Sequence, residues 1–168
     1  MDKTRVALLG AGFIAEIHME SYKRFVPEAE VVAVYTRNAE KAKKFASEHG
    51  IAASYDNIDT LLKETACDVV DICLPNFLHH DAVMKAAKAG RHVIIEKPLC
   101  LTLEEADEMI SAMAKTGKKF MYAEELCFAP KYERVRKMIG EGAVGKVYML
   151  KQAEKHSGPH SRWFYDVE

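Results

Sequence analysis

Two stretches of the chain combine residue types and spacing that could do chemistry. The first is Gly10-Ala11-Gly12-Phe13-Ile14-Ala15, a G-x-G-x-x-A turn that follows a short apolar run and opens a helix-spaced stripe. Gly10 allows the tight turn there. Gly12, lacking a Cβ, lets backbone N–H groups at the helix N-terminus approach a pyrophosphate, with Phe13 and Ile14 beginning that helix. Ala15 is small enough for close helix-to-strand packing. A plain tight turn between strand and helix would use the same glycines with no ligand. At the end of the second strand, an Asp or Glu would accept from the ribose 2′-hydroxyl of NAD. The sequence there is Tyr35-Thr36-Arg37-Asn38, with no carboxylate at the tip. Thr36 can donate to a phosphate oxygen, and Arg37 can stack on adenine or pair with a 2′-phosphate, which favours NADP and leaves NAD open. The bland alternative is a solvated Arg37.

The second stretch is Ile95-Glu96-Lys97-Pro98, at the end of a predicted strand. Oxidising an alcohol by hydride transfer also requires removing the hydroxyl proton. An amine beside a cationic nicotinamide in a partly desolvated cleft could relay it. By composition alone, Glu96 and Lys97 would be a solvent-exposed charge pair. The placement decides between the readings: Gly10, Thr36, Pro75-Asn76 and Glu96-Lys97 all fall at the C-terminal ends of predicted parallel strands, hence on one rim.

Other candidates read as structural. His156 and His160 have Gly158 and Pro159 between them, so no regular helix holds both on one face, and no metal site is expected. His79-His80 place one ring inward and one outward. Cys67, Cys73, Cys100 and Cys127 form no C-x-x-C pair and are expected to be reduced thiols in a cytoplasmic compartment, with Cys73 simply packed.

The elements that must position these residues can be read from the apolar period. Short runs at Val6 to Leu9, Val31 to Tyr35, Val69 to Leu74, His92 to Ile95 and Phe120 to Ala123 alternate with helix-spaced stripes. These stripes are Phe13, Ile14, Ile17 and Phe25; Ala42, Phe45 and Ala46; Ala82, Val83, Ala86 and Ala87; and Ala106, Met109, Ile110 and Met113. A short segment at Ser54 to Leu62 lies between. Asn38 is a predicted N-cap, Thr102 and Glu105 form a capping box, and Gly50, Gly90 and Gly117 are stops. This pattern predicts an α/β fold of the Rossmann type, a doubly wound parallel sheet covered on both faces. Past residue 123, Pro130 can open a helix and Val147 to Gln152 reads as a polar strand. The predicted division is a dinucleotide-binding domain over residues 1–123 and the incomplete beginning of an α+β substrate domain over residues 124–168.

Composition excludes several alternatives. With 168 residues, 49% apolar and 29% charged, the chain fits neither a disordered nor a collagenous class. Its net charge of -1 leaves no basic surplus for nucleic acid or an anionic membrane. No stretch approaches a membrane span, and the four-residue apolar run after Arg5 is too short for a secretory signal.

Taken together, GAGFIA, CLPNFLHHDAVMKAAKAG, HVIIEKPL, FAPKY and GAVGKV make the chain resemble the N-terminal half of the Gfo/Idh/MocA family, named for glucose-fructose oxidoreductase and inositol dehydrogenase. The E-K-P element, about 85 residues after the glycine turn and preceded by P-N-x-x-H, is the specific part. The resemblance implies an NAD(P)-dependent oxidoreductase acting on a sugar, cyclitol or related polyol. It implies a catalytic Lys97, a Glu96 near the nicotinamide ribose and a cis peptide before Pro98. By the same resemblance Leu74, Pro75, Asn76 and His79 line the dinucleotide, Arg162-Trp163 reaches its nicotinamide end, and the full-length form is a homo-oligomer. Glu124-Glu125-Leu126-Cys127 departs from the Asn and Arg that many relatives carry, so substrate contacts there do not transfer. By the resemblance, the Gly-rich D-x-G-x-H segment of the family's second domain, with its second catalytic His or Asp, would begin near Glu168, so the 168-residue chain alone is expected to be inactive. A non-catalytic dinucleotide sensor, and a chain that associates through Tyr148, Leu150, Trp163, Phe164 and Tyr165, stay open as alternatives.

Overall fold

A computed structural model describes residues 2–155 and residue 158. The chain divides after Ala123 into two compact units. In the first, six strands form one sheet: β1 (Thr4–Leu9), β2 (Ala29–Tyr35), β3 (Ala53–Tyr55), β4 (Val69–Ile72), β5 (His92–Glu96) and β6 (Phe120–Ala123). The order is β3-β2-β1-β4-β5-β6, and every neighbouring pair is parallel. The connections carry α1 (Phe13–Phe25), α2 (Ala39–His49), α3 (Ile58–Glu64), α4 (His79–Lys88) and α5 (Leu103–Thr116). The chain first winds outward from β1 to β3, then returns to place β4 on the other side of β1. The strand order therefore reverses between β1 and β4, where doubly wound sheets form their ligand crevice.

Alternation along each strand feeds two cores. Val6 and Leu8 pack on the α1/α2 side with Ala15, Met19 and Phe45, while Ala7 and Leu9 pack on the opposite side with Leu61, Val83, Met109 and Met113. Val32 is an extra residue where the β1/β2 register shifts, and it returns the following residues to the correct faces. The caps behave as predicted: Asn38 accepts from the Lys41 N–H, Thr102 accepts from the Glu105 N–H, and Gly50 and Gly117 close their helices in the left-handed conformation. The reciprocal arm of the capping box is displaced by one residue, because Glu105 accepts from the Leu101 N–H at 2.9 Å.

Three expectations need correction. The stripe of Phe13, Ile17 and Phe25 is the exposed side of α1; its buried residues are Ala15 and Met19. Ala15 and Met19 are the residues of α1 that join the core formed by Val6, Leu8, Val31, Val34 and Phe45, with Ile14 partly buried beside them. Ile110 likewise is 52% exposed, and α5 buries Met109 and Met113 alone among its residues. Val147 to Gln152 is not a strand. A strand needs a neighbour to satisfy its backbone groups, and among the described residues the second unit holds no strand to pair with it. That unit instead contains α6 (Pro130–Gly140), with Pro130 at its first turn as predicted, and Glu154 tied to it through Lys131 and Tyr132.

Candidate functional site

Strand register puts the sequence-predicted residues on one level. Leu9 pairs with both Tyr35 and Ile72, and Ile72 pairs with Ile95. The next residue on each strand is therefore Gly10, Thr36, Cys73 and Glu96, a row across the C-terminal edge of the sheet. Gly10 lies at φ +126°, and a Cβ there would fall 2.4 Å from the Cys73 carbonyl oxygen. Only glycine fits, because β1 and β4 come together at this turn. Gly12 is different. It starts α1 at φ -104°, and a Cβ would meet nothing within 4 Å. The chain's own packing does not demand glycine at this position, and α1 has no side-chain cap for the N–H groups of its first turn. Those N–H groups and the Cβ-free approach are what a pyrophosphate requires. Phe13 and Ile14 begin that turn, with the Phe13 ring exposed.

At the end of β2, the Thr36 N–H donates to the Tyr55 carbonyl at 3.1 Å, and Thr36 is half-buried. Asn38 is committed to capping α2, and Arg37 is exposed beside it. After β4, Leu74, Pro75 and Asn76 are half-buried and lead through a short turn of 3-10 helix into α4. Lys97 is exposed at the exit of β5, and the Lys97-Pro98 peptide is cis.

Two assigned residues face the chain's interior instead of the crevice. His79 is fully buried, with one ring nitrogen 2.9 Å from the Pro98 carbonyl and the other 2.8 Å from that of Leu74. It braces the loop after β4 against the loop after β5, so its surface is spent on backbone and it shapes the rim from behind. Glu96 is 6% exposed and turns under the sheet edge toward α1.

What Glu96 meets there was not evident in the sequence. The His18 ring sits between two carboxylates, with Nδ1 2.8 Å from Asp71 Oδ2 and Nε2 3.1 Å from Glu96 Oε1. The Tyr22 hydroxyl donates to Asp71 Oδ2 at 2.8 Å, and the Cys73 sulfur lies 3.4 Å from His18 Nδ1. Burial alone would lower the His18 pKa, but hydrogen bonds to Asp71, Cys73 and Glu96 lift it to about 12. Burial, and then the Asp71 charge, push the Cys73 thiol up to about 12, so it stays protonated. Cys73 is thus part of a polar cluster and not merely packed. The overlooked signal was Asp71 in the run Val69-Val70-Asp71-Ile72-Cys73, since a carboxylate inside a buried strand must have a partner. His18 and Tyr22, one helical turn apart on α1, supply it.

The description of an oxidoreductase family with an NAD-binding Rossmann fold, Gfo/Idh/MocA, matches residues 4–124. The chain belongs to the Gfo/Idh/MocA family. It is 34% identical over 145 residues to the D-glucoside 3-dehydrogenase of Escherichia coli, covering 86% of this chain and 41% of that protein. It is 32% identical over 135 residues to scyllo-inositol 2-dehydrogenase (NADP(+)) IolU of Bacillus subtilis, covering 80% of this chain and 41% of that one. The crystal structure of the WlbA dehydrogenase from Bordetella pertussis, in complex with NADH and UDP-GlcNAcA, superposes with a TM-score of 0.81 at 25% identity, over 87% of this chain and 44% of that one. The chain spans about two fifths of the length of the curated relatives it matches. As a Gfo/Idh/MocA chain it carries the Rossmann sheet on which the rim residues stand. Trp163 and Arg162, and the pair His156 and His160, lie outside the described residues. Among the described residues, no helix is long and apolar enough to cross a membrane.

Proposed function

We propose that the whole protein is an NAD(P)-dependent oxidoreductase that moves a hydride between nicotinamide and a CH–OH carbon of a sugar, cyclitol or related polyol, and that residues 1–123 form its dinucleotide-binding domain. Residues 124–168 open the part that meets the substrate. The observation that carries this reading is the single row of Gly10, Thr36, Cys73 and Glu96, with Lys97 one residue beyond, across the point where the strand order reverses. The uncapped N–H groups after Gly12 would hold the pyrophosphate. Thr36 and Arg37 would hold the adenosine end, with the absence of a carboxylate favouring NADP over NAD. Leu74, Pro75 and Asn76 would line the path toward the nicotinamide, which supplies the hydride acceptor or donor. Lys97 would take the hydroxyl proton as the alcohol is oxidised and return it in the reverse direction. Four free cysteines support a reducing, cytoplasmic compartment.

The test is a titration of the chain with NADPH and with NADH, followed by nicotinamide fluorescence, for the natural sequence and for Arg37→Asp. Tighter NADPH binding, weakened on the order of tenfold or more by Arg37→Asp while NADH binding is kept, is expected. Equal binding that Arg37→Asp leaves unmoved would remove the NADP assignment, and no binding of either would remove the dinucleotide site.

A further inference from the structure

We propose that His18 is a positioning residue: as an imidazolium clamped between Asp71 of β4 and Glu96 of β5, it fixes the carboxylate that carries the Lys97 backbone amide. The proposal rests on the reading of Lys97 as the proton-transfer residue and explains what holds it in place. The stereochemistry comes first. An ionised carboxylate only accepts hydrogen bonds, and each His18 ring nitrogen faces a carboxyl group, at 2.8 and 3.1 Å; with both groups ionised, both nitrogens donate. Asp71 is fully buried and Glu96 nearly so, and the ion pairs they make among the described residues are both with His18. Two buried carboxylates with no cation between them would be strongly unfavourable. Among the described residues, the other side chains hydrogen-bonded to this cluster are Tyr22 from α1 and Cys73 after β4, and both donate to Asp71.

The two oxygens of Glu96 divide the work. Oε1 is held by His18, and Oε2 accepts the Lys97 N–H at 3.2 Å. Through this link, α1, which begins at the glycine turn on one side of the strand reversal, is connected to the exit of β5 on the other. The distance between the phosphate-binding turn and the reacting lysine is then set by a charged contact inside the sheet edge as well as by the loops.

The deciding measurement is NMR of the chain with nitrogen-15-labelled histidine, reading the His18 ring nitrogens up to about pH 8, together with hydrogen exchange at the Lys97 amide. Two N–H-type ring nitrogens at that pH are expected. His18→Gln should raise exchange at Lys97 on the order of tenfold while amides of β2 and β3 keep their rates. Adding both Asp71→Asn and Glu96→Gln to His18→Gln, which replaces the two ion pairs by three neutral amides, should restore most of the protection. A His18 ring that titrates near 6.5, its ordinary value, would overturn the clamp. So would an unchanged Lys97 exchange rate in a folded His18→Gln chain. If that variant does not fold, the ring measurement on the natural sequence still decides. A doubly protonated ring in a chain that binds neither NADPH nor NADH would support the clamp and overturn the dinucleotide reading, whereas a titrating ring in a chain that binds NADPH would overturn the clamp alone.

Discussion

Gly10 carries the tightest constraint among the glycines, because its backbone is left-handed and its missing Cβ is where the Cys73 carbonyl lies. Gly10→Ala is therefore expected to cost about 2 kcal/mol or more, read as a drop in urea midpoint, and to weaken dinucleotide binding with it. A Gly10→Ala chain as stable as the natural one would contradict the geometry. Lys97 is exposed, and the hydrogen bond it makes among the described residues is from its backbone N–H to Glu96, so its side chain adds little to folding. Lys97→Ala in the whole protein should lower turnover roughly a hundredfold or more while dinucleotide affinity stays within about threefold. Turnover equal to the natural protein would end its proton-transfer role. His18 makes a pH prediction. Its folded pKa of about 12 lies above the 6.5 of the unfolded chain, so its stabilisation is complete below 6.5 and is lost as pH rises toward about 12. Between those values it should lower stability by up to about 1.4 kcal/mol per pH unit, a slope that His18→Gln removes. Urea midpoints at a series of pH values, compared between the two chains, check both sign and size.

At the scale of elements, helix ends were set locally and could be read from the chain. Asn38, Thr102, Gly50 and Gly117 satisfy terminal N–H and C=O groups through contacts no more than a few residues away. Thr102→Ala should accordingly cost about 1 kcal/mol. The buried sides of helices were harder to read. On α4 the apolar residues Ala82, Val83, Ala86 and Ala87 are all buried, so period and packing agree. On α1 they disagree, since hydrophobicity selected Phe13, Ile17 and Phe25 while the sheet selected Ala15 and Met19. The same logic singles out Met109, fully buried where Ile110 is not. Met109→Ala should cost about 2–5 kcal/mol and Ile110→Ala well under 1 kcal/mol, measured by thermal or urea unfolding.

At the scale of the whole chain, the reversal between β1 and β4 brings four distant loops to one rim, and the break after Ala123 separates that sheet from the second unit. Limited proteolysis should cut first within residues 124–155, leaving a fragment close to residues 1–123 that keeps its circular dichroism and its cooperative unfolding. First cuts inside the sheet would show that the first unit does not stand by itself. In the second unit Tyr148, Met149 and Leu150 are exposed.

The order of strands and helices, the glycine turn, the caps and the strand ends at Gly10, Thr36, Pro75 and Lys97 rest on contacts between near neighbours in sequence or on the fixed periods of helix and strand. The amino-acid sequence by itself was sufficient for them. It was not sufficient for the cluster of His18, Asp71 and Glu96, in which Asp71 and Glu96 lie 53 and 78 positions from His18 and meet it only when side chains from α1, β4 and β5 come together. Nor did it decide that His79 faces backbone carbonyls or that Val147 to Gln152 forms no strand. Each of these depends on which groups from remote segments arrive to accept, donate or pair, and a one-dimensional pattern of apolar and polar residues does not contain that information until the sheet has assembled.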